Sequence, residues 1–223
     1  MRPLHIHRKF VIPITFLSLL LLSNQHLFTD TAPSALIYDT KSVASGEWWR
    51  IFSHLLVHVS WYHLLLDATA VAIIWRELNI QSLVLKFGSA AICAACSLLV
   101  AVMFSPRITE VGFCGLSGMA HGLMFLLGAL WTHQALANTG NSGKQKLKRT
   151  TLLLGCTLAG VSSIKSIAEV LSGSILFGNL HAHNLGTPIV HAHLGGVLGG
   201  LIAFVLYCSL NRDSRKAFPQ NHL

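Results

Sequence analysis

Apolar runs about 20 residues long recur six times along this chain, at roughly 10–28, 53–75, 82–104, 115–137, 150–171 and 188–209. A bilayer core of about 30 Å is crossed by about 20 residues of helix. Within it each segment must satisfy its own backbone N–H and C=O groups, which an isolated helix does and an isolated strand does not. The pattern predicts an all-α membrane protein, a single domain over residues 1–223 with six transmembrane helices. Composition agrees: 52% of residues are hydrophobic, 11% are charged and the mean hydropathy is +0.59, outside the range of ordinary water-soluble domains.

The formal charge of +8 does not point to nucleic acid, because the basic residues come in small clusters between apolar runs, without a continuous patch of interleaved aromatics. They read instead as topology signals. Arg2, Arg8, Lys9, Arg76, Lys86, Lys144, Lys146, Lys148, Arg149, Arg212, Arg215 and Lys216 fall on one side of the predicted spans, and only Lys41, Arg50 and Arg107 on the other. By the Lys/Arg bias both termini are expected in the cytoplasm. The first run is read as a retained helix, although its basic start and Ala32 to Ala35 also describe a signal peptide with a poor cleavage site. Trp48, Trp49, Trp61, Tyr62 and Trp131 are expected as interfacial anchors.

With this topology the second, fourth and sixth predicted helices run the same way, so their N-terminal parts lie at similar depth. Each carries polar groups there: His54, His58, His63 and Asp67 on the second, Gly115-Leu116-Ser117-Gly118 and His121 on the fourth, His191-Ala192-His193 on the sixth. Ionisable groups inside a membrane are costly and mark functional interiors. Serine becomes a useful nucleophile when a base takes its proton, and histidine is the commonest such base near neutral pH. Gly115 and Gly118 leave room around Ser117, and a helix start offers N–H groups to a developing oxyanion. Gly195, Gly196, Gly199 and Gly200 form two overlapping G-x-x-x-G patterns that permit close approach of a neighbouring helix, for which the fourth predicted helix is expected.

Taken alone, a serine between glycines in a membrane helix is usually a packing residue. The succession Glu47-Trp48-Trp49-Arg50, His54/His58/His63, Gly115-Leu116-Ser117-Gly118 and Ala192-His193-Leu194-Gly195-Gly196 resembles the rhomboid intramembrane serine proteases over about residues 46 to 210. The small size, the Glu-Trp-Trp-Arg start and Ser117-Gly118-Met119-Ala120-His121-Gly122 resemble the rhombosortase branch. The resemblance implies that Ser117 is the nucleophile, His193 its general base and His63 an oxyanion donor, with Leu116, Asp67 and His121 in supporting places and Gly115, Gly118, Gly196 and Gly200 in packing roles. It also implies a water-filled cavity open to the outside, a membrane-anchored protein substrate and no cofactor. For the rhombosortase branch that substrate is an exported protein with a C-terminal Gly-Gly tail, and the setting is the bacterial inner membrane with the site facing the periplasm.

Rhomboids commonly carry an asparagine four residues after the first histidine, where this chain has Asp67. A carboxylate cannot donate, so Asp67 is expected either to be protonated, which burial favours, or, the preferred reading, to accept a hydrogen bond from His63 and fix that ring. His121 stands where many rhomboids place a tyrosine against the catalytic histidine, and it is expected to fill that role or to serve as an alternative base, with His193 favoured by its Ala-His-Leu-Gly-Gly context. His54 and His58 are expected as structural groups, and Lys165 and Glu169, spaced i and i+4, as a structural ion pair. The rival class is a metal-binding membrane protein or transporter using His181, His183, His191 and His193 with His63 and Asp67. It leaves Ser117 and its glycines without a role. Five cysteines, four within apolar runs, imply no disulfide framework.

Overall fold

The computed structural model describes residues 4–29, 35–137, 145–176 and 186–217, with side chains from residue 14 onward and up to residue 211. Helices α1 (Leu4–Ser23), α2 (His26–Thr29), α3 (Thr40–Ala44) and α4 (Arg50–Ser53) lead into a 3-10 turn at His54–Leu56. They are followed by α5 (Trp61–Glu77), α6 (Leu83–Phe104), α7 (Ile108–Val111), α8 (Ser117–Ala137), α9 (Gln145–Ser172) and α10 (Val190–Ala217). Among the described residues there is no strand, only an isolated bridge between Tyr38 and Phe113.

Three described helices are long and apolar enough to cross a bilayer: α6, α9 and Val190–Asn211 of α10. Arg50–Leu56 and Trp61–Glu77 pass the same test only when joined as a fourth span, and the two pieces are bent by 95°. This corrects the continuous helix expected at 53–75. Ser60 stops it, taking extended backbone and capping α5 through a hydrogen bond from the His63 N–H. The first apolar run is likewise divided, between α1 and α2 around Asn24.

Helix α8 has the length to span but is diluted by Ser117, His121, Thr132, His133 and Gln134. It tolerates them because α5, α6, α9 and α10 all pack against it, so most of its surface meets protein rather than lipid. Glycines set those contacts. A Cβ on Gly196 or Gly200 of α10 would overlap the Gly118 or Gly122 backbone of α8. One on Gly128 of α8 would lie 2.6 Å from the Gly155 carbonyl oxygen of α9. Gly195 and Gly199 face α6 instead, where a Cβ would approach the Cys96 carbonyl at 2.5 Å and the Cys93 Cα at 2.7 Å. The two G-x-x-x-G patterns therefore serve two neighbours on adjacent faces, not α8 alone.

On the site's side of the bundle, polar groups lace the irregular segments together. Buried Arg50 pairs with Glu47 at 2.6 Å and donates to the Ile37 carbonyl. Ser53 and Trp49 donate to the Leu36 and Ala35 carbonyls. Tyr38 exchanges two backbone hydrogen bonds with Phe113, at 3.0 and 2.9 Å. Thus the Glu47–Arg50 motif anchors residues 35–38, and these in turn hold the loop before α8. Trp48, Phe52 and Tyr62 remain exposed on the protein surface, where amphipathic rings suit a headgroup region.

Candidate active site

The approach to α8 is clamped at two successive residues. Gly115 has φ +107°, and its N–H donates to the His54 carbonyl at 2.9 Å. A side chain there would be strained and would crowd the His63 ring at 2.8 Å and Asp67 Oδ2 at 3.2 Å. Gly115 thus serves the turn before the helix, not the helix packing expected of it. The next N–H, of Leu116, donates to Asp67 Oδ2 at 2.8 Å. That N–H is taken and so is not available to an oxyanion, while the buried Leu116 side chain packs with Leu20, Leu64 and Val71.

Ser117 opens α8, and its Oγ lies 3.1 Å from His193 Nε2 across 76 positions of sequence. His193 sits one turn into α10, only 8% exposed. The glycine contact between α8 and α10 brings the two side chains together, because Gly118 follows Ser117 directly and Gly196 lies one turn beyond His193.

His193 Nδ1 faces Glu169 Oε2 at 2.6 Å, and Glu169 Oε1 accepts from Lys165 Nζ, also at 2.6 Å. The expected Lys165–Glu169 pair forms, but the second carboxylate oxygen reaches the site. His121 stacks on His193, ring centroids 4.1 Å apart and planes 13° from parallel. Its Nδ1 donates to the Ser117 carbonyl at 2.8 Å and its Nε2 meets Lys165 Nζ at 3.1 Å. A carbonyl only accepts and an ammonium only donates, so both His121 nitrogens are engaged and neither is free to receive a proton from Ser117.

A second cluster flanks the first. Asp67 Oδ2 lies 3.3 Å from His63 Nε2 and 3.4 Å from His58 Nε2. His58 lies in the link between the bent pieces, so the three histidines do not form a ladder on one helix. Its backbone N–H donates to buried Asn24, which also donates to the Leu20 and Leu56 carbonyls. His54 is buried with its Nδ1 3.2 Å from the Arg50 carbonyl. His63, Asp67, Ser117, His121, Lys165 and His193 together line a cavity of about 370 Å³, whose apolar walls include Val59, Leu66 and Ile175.

Of the rival metal-ligand set, His63, Asp67 and His193 line this cavity. His181 and His183 lie outside the described residues, and His191 is absent from the cavity wall. His121, Glu169 and His193 do place ligand atoms within 4.8 Å of one another. The Lys165 ammonium already bonds two of the three, and a dication there would meet that positive charge. Among the described residues the five cysteines form no disulfide.

Glu169 is the residue that sequence reasoning undervalued. Its i,i+4 lysine was visible, but a reach of 24 positions to His193 leaves no local signal. A comparison with curated proteins finds no match. A comparison with protein-family models matches a Rhomboid domain at residues 45–210. That stretch takes in well over half of the 223 residues and every side chain of the Ser117 site, and the chain belongs to the rhomboid family of intramembrane serine proteases.

Proposed function

We propose that the protein is an intramembrane endopeptidase working through a Ser117–His193 dyad. The observation that carries this reading is the 3.1 Å approach of Ser117 Oγ to His193 Nε2 at the wall of a cavity. In the proposed mechanism His193 takes the Ser117 proton as the oxygen attacks the scissile carbonyl, then returns it to the leaving amine. The oxyanion falls to His63 and to the first N–H groups of α8, which have no acceptor within the helix. A water then hydrolyses the acyl-enzyme by the same route in reverse order. No metal or cofactor enters.

The substrate proposed is a membrane-anchored protein with a C-terminal tail of Gly-Gly, one membrane helix and a basic end, as in rhombosortases. Two features support it: the sequence resemblance of 117–122 and of Glu47–Arg50, and the ease with which glycines unwind a substrate helix for attack. The proposed setting is a bacterial inner membrane, with six spans counting α1, the bent α4–α5 pair and α8, both termini cytoplasmic and the cavity facing the periplasm. The Lys/Arg distribution and the common side of the α5, α8 and α10 N-termini support that orientation.

The test is cleavage of such a tail in reconstituted vesicles by wild type, Ser117→Ala and His193→Ala, alongside labelling by a fluorophosphonate probe. Both variants are expected to lose at least about 10³-fold in rate, and Ser117→Ala to lose labelling. Cleavage that survives Ser117→Ala overturns the dyad. Equal cleavage of membrane anchors without Gly-Gly assigns a general rhomboid protease in place of a rhombosortase.

A further inference from the structure

We propose that Glu169 is a positioning residue for His193, making the site a Ser117–His193–Glu169 triad. The inference deepens the dyad reading and rests on it. Glu169 is fully buried on α9, where a carboxylate is costly unless its oxygens are occupied. Both are. Oε1 accepts from Lys165 Nζ at 2.6 Å and from the Leu176 N–H at 3.0 Å, and Oε2 stands 2.6 Å from His193 Nδ1.

Two donors on Oε1 favour the ionised carboxylate, which can only accept. His193 must then carry its proton on Nδ1, leaving the Nε2 lone pair directed at Ser117 Oγ. That is the tautomer a general base requires, and the adjacent negative charge stabilises the imidazolium formed when the serine proton arrives. Stacked His121 fixes the ring plane, and Lys165 holds both His121 and Glu169. A structural ion pair with Lys165 would need only one carboxylate oxygen. The other is aimed across the helix interface at the ring that faces the nucleophile.

The test uses Glu169→Gln in full-length protein in vesicles. Because Lys165 and Leu176 both donate at the Oε1 position, the glutamine oxygen takes that place and its NH2 group faces Nδ1. This selects the Nε2–H tautomer, which cannot receive the serine proton. The expected result is a kcat lowered roughly 10³- to 10⁴-fold, as for a wrong-tautomer substitution in a serine triad, with KM changed less than about threefold. Glu169→Gln within about tenfold of wild type, with Ser117→Ala and His193→Ala inactive, overturns the role of Glu169 and leaves the dyad standing. An active Ser117→Ala strikes the dyad itself. A readout that needs no Glu169 variant is the ¹⁵N spectrum of histidine-labelled wild type. The His193 signal, identified by its loss in His193→Ala, is expected in the Nδ1–H form, and an Nε2–H form overturns the proposal.

Discussion

Replacing Gly196 by alanine puts a methyl group into the tightest contact between α8 and α10, where its carbon would overlap the Gly118 carbonyl oxygen. That obstacle is backbone in a helix, so no side-chain rotation relieves it. Ordinary carbon contacts lie near 3.5 Å, so the helices must part locally by about 1 Å or more. Ser117 precedes Gly118 and His193 lies one turn before Gly196, so the displacement passes into their 3.1 Å contact and opens it beyond hydrogen-bond reach. On the proposed mechanism a misplacement of about 1 Å costs on the order of 100-fold in rate, while overpacking costs about 1–3 kcal/mol of stability. The assay is kcat for tail cleavage in vesicles, with thermal midpoints in detergent. Gly160→Ala is the control, since a Cβ there meets nothing within 4 Å. Gly199→Ala, which presses on α6 rather than α8, is expected to lower stability with a smaller loss of rate. Gly196→Ala cleaving within about threefold of wild type would refute the idea that this glycine contact sets the dyad separation.

Asp67→Asn keeps an oxygen for the Leu116 N–H and is expected to retain cleavage within about tenfold. Asp67→Leu orphans that buried donor, at a cost of about 1–3 kcal/mol, and is expected to lose most activity; equal, near-normal turnover of the two removes Asp67 from the mechanism. Chelators such as EDTA are expected to leave cleavage unchanged, because Lys165 supplies the cation between His121 and Glu169; inactivation reversed by zinc would revive the metal reading. Asn24→Leu breaks bonds to Leu20, Leu56 and His58, each buried group left unpaired costing about 1–3 kcal/mol. A lowered thermal midpoint is expected in detergent, and an unchanged one would show that the link between α1 and the bent span carries no stability.

Much of the framework was legible because it depends on short-range regularities. The apolar runs at 82–104 and 115–137 became α6 and α8 within two residues at either end, since a segment facing lipid or a packed bundle has few alternatives to a helix. The break at 57–60 was not legible: apolar content there continues, and Ser60 caps α5 only once the chain has turned. Gly118 and Gly196 declared close packing, but not that Gly195 and Gly199 would face α6, because spacing marks a helix face without naming its neighbour. The Leu116 N–H is engaged by Asp67, 49 residues away, a contact with no local signal in the sequence.

The residue order by itself determined that this chain lives in a membrane, belongs among rhomboids and carries a serine and a histidine of the right kinds on helices running the same way. Tertiary structure alone decided which atoms meet: Nε2 of His193 with the serine oxygen, Nδ1 with Glu169, and both His121 nitrogens with other partners. Hydropathy and motif spacing act along the chain and survive in one dimension. Proton transfer depends on separations of about 3 Å between groups far apart in sequence, and these exist only after helices meet through their glycines.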